Sequence, residues 1–237
     1  MKEFFLKINE LLKKLIDYRI EEYKFIKKFV SNKDIILDAG CGTGTFLNYI
    51  KNNSKNCTFY GIDQNIDNIK IAKKIEKNVK VQSITKIKDI NKYNLIVCSH
   101  VIQCLQTNEA FIVMKKFHRS LKKKGFLIVS TLNDYKNFYE HPENVRPYPL
   151  AVFYRFFRQS KQIVKSRKMN NTSPSHSGMP AFEIIDTRFR YEPLILFTFD
   201  QSKFLFNLSI LLNKFQYYFY IKKYWKYQSY TVILKKK

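Results

Sequence analysis

The sequence predicts an α/β protein built on a doubly wound sheet flanked by helices. Three observations predict it. Short apolar runs alternate with stretches of helical periodicity from residue 31 to about residue 135. One run, 35–39, passes straight into a glycine-rich loop and then a helix. A chain of 237 residues, 45% hydrophobic, suits one large domain with a substantial core.

The elements follow in order. Residues 2–30 read as helix. Phe4, Ile8, Leu11, Leu12, Leu15 and Ile16 recur at spacings of three and four, and Tyr23, Ile26, Phe29 and Val30 continue the stripe past a break near 17–19. A turn at 32–34 precedes the strand Ile35, Ile36, Leu37. The glycine loop 38–44 leads into a helix over 45–51. Strands are then expected at 57–62, 79–82, 93–99 and 125–131, with helices at 66–76 and 109–121. Pro147 and Pro149 mark a loop, and 150–160 reads as helix. The polar stretch 170–180 (NNTSPSHSGMP) is a candidate mobile lid. Aromatics are dense from Tyr191 on, and the chain closes on a strand at 230–234.

Composition bounds the partners. The net charge of +24 invites a nucleic-acid reading. The excess, however, is 35 Lys against 8 Arg, accompanied by 19 Asn and 26 Ile. That joint enrichment is what A+T-rich coding produces, and phosphate recognition favours the planar Arg fork. The charge therefore reads mainly as solvated lysine. Cys41, Cys57, Cys98 and Cys104 form no CxxC pair, so no zinc or thioredoxin-like site is suggested, and reduced thiols fit a cytoplasmic protein. Charges at Lys2, Glu3, Lys7 and Glu10 interrupt any secretory core, and no run approaches the roughly 20 apolar residues of a spanning helix.

The loop Asp38-Ala-Gly-Cys-Gly-Thr-Gly44 is the most informative motif. A strand that ends in glycines and feeds a helix is expected to bring free N–H groups to one point at the positive end of the helix dipole. Glycine permits close approach of a ligand and the required backbone angles. A dinucleotide fingerprint would place its third glycine where Thr45 stands, and the Gly-Lys-Ser/Thr of a Walker loop is absent. An acid two residues before the first glycine would repel a pyrophosphate. It suits a ligand carrying positive charge.

This segment, ILDAGCGTG, resembles the first motif of class I S-adenosylmethionine-dependent methyltransferases. FYGID (59–63), YNLIVCSHVIQCL (93–105) and SLKKKGFLIVS (120–130) resemble that family's later motifs in the same order, and YTVILKKK resembles its terminal strand. The resemblance implies a Rossmann-like mixed sheet of about seven strands, with S-adenosylmethionine as cofactor and S-adenosylhomocysteine as product. It implies cofactor contacts from Asp38, Gly40, Cys41, Gly42, Gly44, Asp63, Gln64, Ser83, Ile84 and Ser99. Asp63 would accept hydrogen bonds from the ribose hydroxyls. Many relatives carry an acid where Ser83 stands, so the adenine contact departs from the family pattern. No metal is implied.

Methyl transfer to an alcohol benefits from a general base, and histidine suits that task near neutral pH. His100 directly follows the 93–99 strand, and His141 follows the 125–131 strand. Both are candidate bases. His118, beside Arg119 on a helix, reads as solvated surface, and His176 falls in the lid loop. VRPYP (145–149) and the helix after it resemble a subgroup of these methyltransferases that often serves small molecules, which implies a glycan, lipid, quinone or secondary metabolite as acceptor, methylated on oxygen, and the 14 aromatics among residues 191–234 suit such an acceptor. The rivals are an RNA or tRNA methyltransferase and a cofactor-binding partner protein without catalysis. Peripheral membrane contact through 203–224 is a minor variant. The expected organisation is an N-terminal helical cap (1–30), a cofactor-binding core (31–135), an acceptor-covering segment (136–220) and closing strands (221–237).

Overall fold

Each apolar run singled out in the sequence is a strand in the computed structural model, which describes residues 18–133, 138–139, 141–156, 180–191, 204–205, 208, 211–212 and 227–237. The described residues begin with helix α1 (Tyr18–Lys27) and continue as β1 (Ile35–Ala39), α2 (Thr45–Asn53), β2 (Thr58–Asp63), α3 (Ile66–Ala72) and β3 (Val79–Val81). They go on as β4 (Tyr93–Ser99), α4 (Thr107–Ser120), β5 (Leu121–Leu132), α5 (Leu150–Phe156), β6 (Phe182–Tyr191) and β7 (Tyr227–Lys236). The seven strands form one sheet in the order β3-β2-β1-β4-β5-β7-β6. Neighbours from β3 to β5 are parallel, and β7 runs antiparallel to both β5 and β6. The sheet is therefore mixed, as expected.

Alternation along the buried strands sends side chains to two cores. Ile36, Leu95, Val97, Ile128 and Ile233 pack with α1, α2 and α3 on one face. Leu37, Ile96, Leu127, Val129 and Val232 pack with α4 and with Phe153 of α5 on the other. Local signals end the helices where they do. Asn65 Oδ1 accepts from the Asp67 and Asn68 amides to open α3, and the Gln106 amide donates to Glu109 Oε2 at 3.1 Å to open α4.

Two expectations change. The segment assigned to a cover over 136–220 contains the edge strand β6, which pairs with β7 along its length. A register shift between Ile184 and Asp186 breaks its period-two pattern, so FEIIDTRFRY did not read as a strand. His118 is not solvated surface. Its ring meets Phe182 of β6 edge-on at 5.0 Å, and burial lowers its pKa. The lid stretch 170–179 and most of 191–226 lie outside the described residues.

Candidate active site

The strand order reverses between β1 and β4, and ligands of open α/β sheets sit beyond the carboxyl ends of strands at such a point. A cavity of about 210 Å³ opens there. It is lined by Asp38 and the Gly40–Thr43 loop from the end of β1, and by Ser99 and His100 from the end of β4. Thr45 and Phe46 of α2 complete one wall, and Arg19, Glu22 and Tyr23 of α1 form the other.

Four of the loop's N–H groups are bonded within the protein rather than turned to a ligand as the sequence suggested. The Gly40 and Cys41 amides both donate to Ile62 O, at 2.8 and 2.9 Å, and Gly44 N donates to Cys41 O at 2.9 Å. Gly42 N donates to Asp63 Oδ2 at 2.9 Å. These bonds tie the loop to β2, so the glycines act through close approach. Gly40 (φ +89°) packs under Val101, whereas a side chain at Gly42 would meet nothing within 4 Å.

Asp63 is fixed from both sides, since its Oδ1 also accepts from Asn65 N at 2.8 Å. Each carboxylate oxygen keeps a lone pair for a hydroxyl donor. Asp38 is 2% exposed, and its pKa is pushed up to about 8 by burial first, then by the charges of Asp63 and Glu22. Three carboxylates thus gather around the loop, and the charges of Asp63 and Glu22 disfavour ionisation of Asp38. A cationic guest relieves that repulsion. Burial pushes the Cys41 thiol above its ordinary value, so it is no nucleophile here.

Among the expected cofactor residues, Asp38, Gly40, Cys41, Gly42 and Ser99 line the cavity. Asp63 adjoins it through Gly42. Gly44 opens α2 and lies against Ala72, where a Cβ would come within 3.2 Å. Gln64 is exposed just past β2. Ser83 accepts from Thr85 N to cap a short 3-10 turn, and Ile84 is buried beside it at the end of β3. His100 lines the cavity with φ +56° and is one of the two candidate bases. His141 is not brought to it. Its side chain is 60% exposed and faces Glu143 at 3.8 Å.

Sequence reading missed the α1 residues. Arg19, Glu22, Tyr23 and Ile26 fall at i, i+3, i+4 and i+7, the inward stripe of the helix. A carboxylate on that stripe was the available signal. Glu22 Oε1 accepts from Ser99 Oγ at 2.9 Å and from Ser130 Oγ at 2.7 Å. Its Oε2 faces His100 Nε2 at 3.8 Å. Burial raises the Glu22 pKa, but the facing His100 and then the two hydroxyls outweigh it and hold the carboxyl below its ordinary value.

The neighbouring Glu21 anchors the same helix. Its carbonyl accepts from Arg188 Nη1, its Oε2 accepts from Arg188 Nη2 at 3.2 Å, and the guanidinium lies 6.0 Å from the Phe25 ring. Arg188→Ala is expected to speed amide exchange in α1 about threefold to tenfold while leaving β1 and β4 unchanged. Unchanged exchange in α1 would show that the latch contributes nothing.

Residues 31–195 match the family of methyltransferase domains. The chain belongs to this family. The methyltransferase domain is also 33% identical over 112 residues to a carboxy-S-adenosyl-L-methionine synthase of Nautilia profundicola, covering 44% of this chain and 47% of that protein. It is 31% identical over 109 residues to an uncharacterized protein of Methanocaldococcus jannaschii, covering 46% and 45%. The chain thus spans about half the length of these relatives. Its fold is shared with a SAM-dependent methyltransferase from Archaeoglobus fulgidus (TM-score 0.59, 18% identity, 98% of this chain and 100% of that one).

Family membership implies S-adenosylmethionine as the cofactor, and the donor set fits it. A buried acid suits the cation, Asp63 suits vicinal hydroxyls, and Gly42 leaves open space. When bound, the cofactor supplies an activated methyl group on a sulfonium. Among the described residues, no helix is long and apolar enough to cross a membrane.

Proposed function

We propose that this domain transfers the S-adenosylmethionine methyl group to a hydroxyl of a small-molecule acceptor, with His100 as general base. The observation that carries the reading is the placement of His100. It stands at the cavity, at the carboxyl end of β4, facing the largely buried carboxylate of Glu22. An alcohol is a poor nucleophile at neutral pH, and an imidazole within reach takes its proton. The remaining residues bind and orient. Asp38 and Asp63 hold charge and hydroxyls, the glycine loop sets depth, and Phe46 on one wall and Tyr23 on the other exclude water. The aromatic-rich 191–234 segment supports a ring-bearing or apolar acceptor, such as a glycan, lipid, quinone or secondary metabolite.

The test uses cofactor labelled in the methyl group, incubated with small-molecule, RNA and protein fractions of a cell extract. Label is expected in the small-molecule fraction. His100→Ala is expected to lower its transfer about 100-fold while changing S-adenosylhomocysteine affinity less than about threefold. Label confined to RNA would replace the acceptor class. Equal losses in transfer and affinity, or no loss, would remove the base assignment.

A further inference from the structure

Four polar side chains stand in one row across the sheet beneath α1. Ser99 of β4 is registered opposite Ser130 of β5, Ser130 opposite Thr231 of β7, and Thr231 opposite Arg188 of β6. Two residues earlier along β4 and β5, and two residues later along the antiparallel β7, the same face carries Val97, Ile128 and Ile233, all fully buried. The sheet face thus changes from apolar to hydroxyl-bearing at the level where α1 crosses it with Glu21 and Glu22. Serine and threonine buried under a helix are costly unless they are hydrogen-bonded. Here the row is matched to the two carboxylates.

The matching has a direction. Ser130 Oγ donates its one proton to Glu22 Oε1, so Thr231 Oγ1, 2.9 Å away, donates to Ser130. Ser99 donates to the same Glu22 oxygen. Both hydroxyls converge on Oε1, and Oε2 is left facing His100 Nε2 at 3.8 Å. The other partner is anchored to the same strand. His100 N donates to Ser130 O at 2.8 Å, and its backbone is held at φ +56°, a conformation unusual outside glycine. Ser130 therefore fixes Glu22 through its hydroxyl and His100 through its carbonyl. A separation of 3.8 Å is longer than a hydrogen bond, and such contacts tighten when a site closes on its ligands.

We infer that Glu22 is the positioning residue for His100: the carboxylate, seated on the Ser99–Ser130–Thr231 row, holds Nε2–H and leaves Nδ1 as the basic nitrogen. This rests on the reading of His100 as the base. A carboxylate that fixes the tautomer of a histidine sets which nitrogen takes the proton. Because Glu22 rides on α1, the base is assembled only when that helix is docked, and the Glu21–Arg188 latch holds it there.

The tautomer of His100 is the direct readout. The full chain, labelled with nitrogen-15 at histidine and saturated with S-adenosylhomocysteine, is expected to show His100 protonated on Nε2. Glu22→Ala is expected to give a mixture of tautomers and a loss of label transfer of about 30-fold. Glu22→Gln, which keeps an acceptor and removes the charge, is expected to fall between. Ser130→Ala is expected to cost about threefold to fivefold. Affinity for S-adenosylhomocysteine is expected to stay within about threefold of the parent in each variant. An unchanged tautomer in Glu22→Ala would overturn the inference. So would a tenfold loss of affinity with the tautomer intact, which would make Glu22 a cofactor ligand. A changed tautomer with transfer undiminished in His100→Ala would instead remove the base reading and leave the Glu22–His100 coupling standing.

Discussion

Gly40→Ala is expected to unfold more readily than any other single substitution in the glycine loop. The new Cβ would lie 2.2 Å from Val101 Cγ2 and 3.3 Å from the Val101 Cβ, and the backbone there has φ +89°. Val101 is branched at Cβ, so its χ1 is restricted and a retreat by rotation is costly. The loop after β4 must move instead, and His100 is the residue just before it. Placing an L-residue in this backbone region costs about 1–2 kcal/mol, and overpacking adds about 1–3 kcal/mol. The sum is about 3 kcal/mol, or a fall in Tm of about 6–12 °C for a domain of this size. Gly42→Ala is the control. With φ +50° and nothing within 4 Å, its fold should lose only about 1 kcal/mol. Its added methyl stands at the cavity, so S-adenosylhomocysteine affinity should fall while Tm barely moves. Thermal melts with binding calorimetry separate the two. A Gly40→Ala protein that melts with the parent would refute the packing argument.

Asp38 gives the second large effect, and its sign is opposite to that of most acids. Its pKa rises from an ordinary 3.8 to about 8 through burial, then through the charges of Asp63 and Glu22. The folded protein thus keeps a proton that the unfolded chain has released. Stability from this group is complete below about pH 4, declines as pH rises and reaches its floor above about pH 8. Glu22 acts the other way, and its contribution is lost only as pH falls below the ordinary carboxylate range. Between these limits, Tm of the ligand-free protein should drop from pH 5 to pH 8.5. Asp38→Asn should flatten that drop, gaining on the order of 2 kcal/mol at the alkaline end. The same substitution should weaken S-adenosylmethionine binding about tenfold to a hundredfold, because a charge-assisted contact is lost. Binding to the parent at pH 7 should release a proton, measurable as a dependence of the calorimetric heat on the buffer's ionisation enthalpy. A Tm profile for Asp38→Asn that tracks the parent would sink this account.

Much of the cofactor side was legible because its signals are local. Ile35 to Gly44 carries strand, turn and helix start within ten residues, and Asp63 ends the next strand at the register where β1 and β2 lie side by side. The use made of the glycines was not legible. Whether Gly40 and Cys41 amides face a ligand or Ile62 O depends on a neighbouring strand. The position of His100 at the cavity was legible from its place after β4. His141 was drawn in by the same rule, but its side chain is 60% exposed and faces Glu143.

The sequence by itself determined the alternating strands and helices, the glycine loop, the paired acids Asp38 and Asp63, and the family. These depend on periodicity and spacing over short stretches, which a linear reading samples directly. Only the tertiary structure decided that α1 closes one wall of the site and that β6 completes the sheet. It alone placed Glu22 on Ser99 and Ser130, contacts that span 77 and 108 residues. Strand order and register create such rows, and no local pattern carries them. A glutamate on a helix looks solvated until a sheet supplies the hydroxyls that make its burial tolerable.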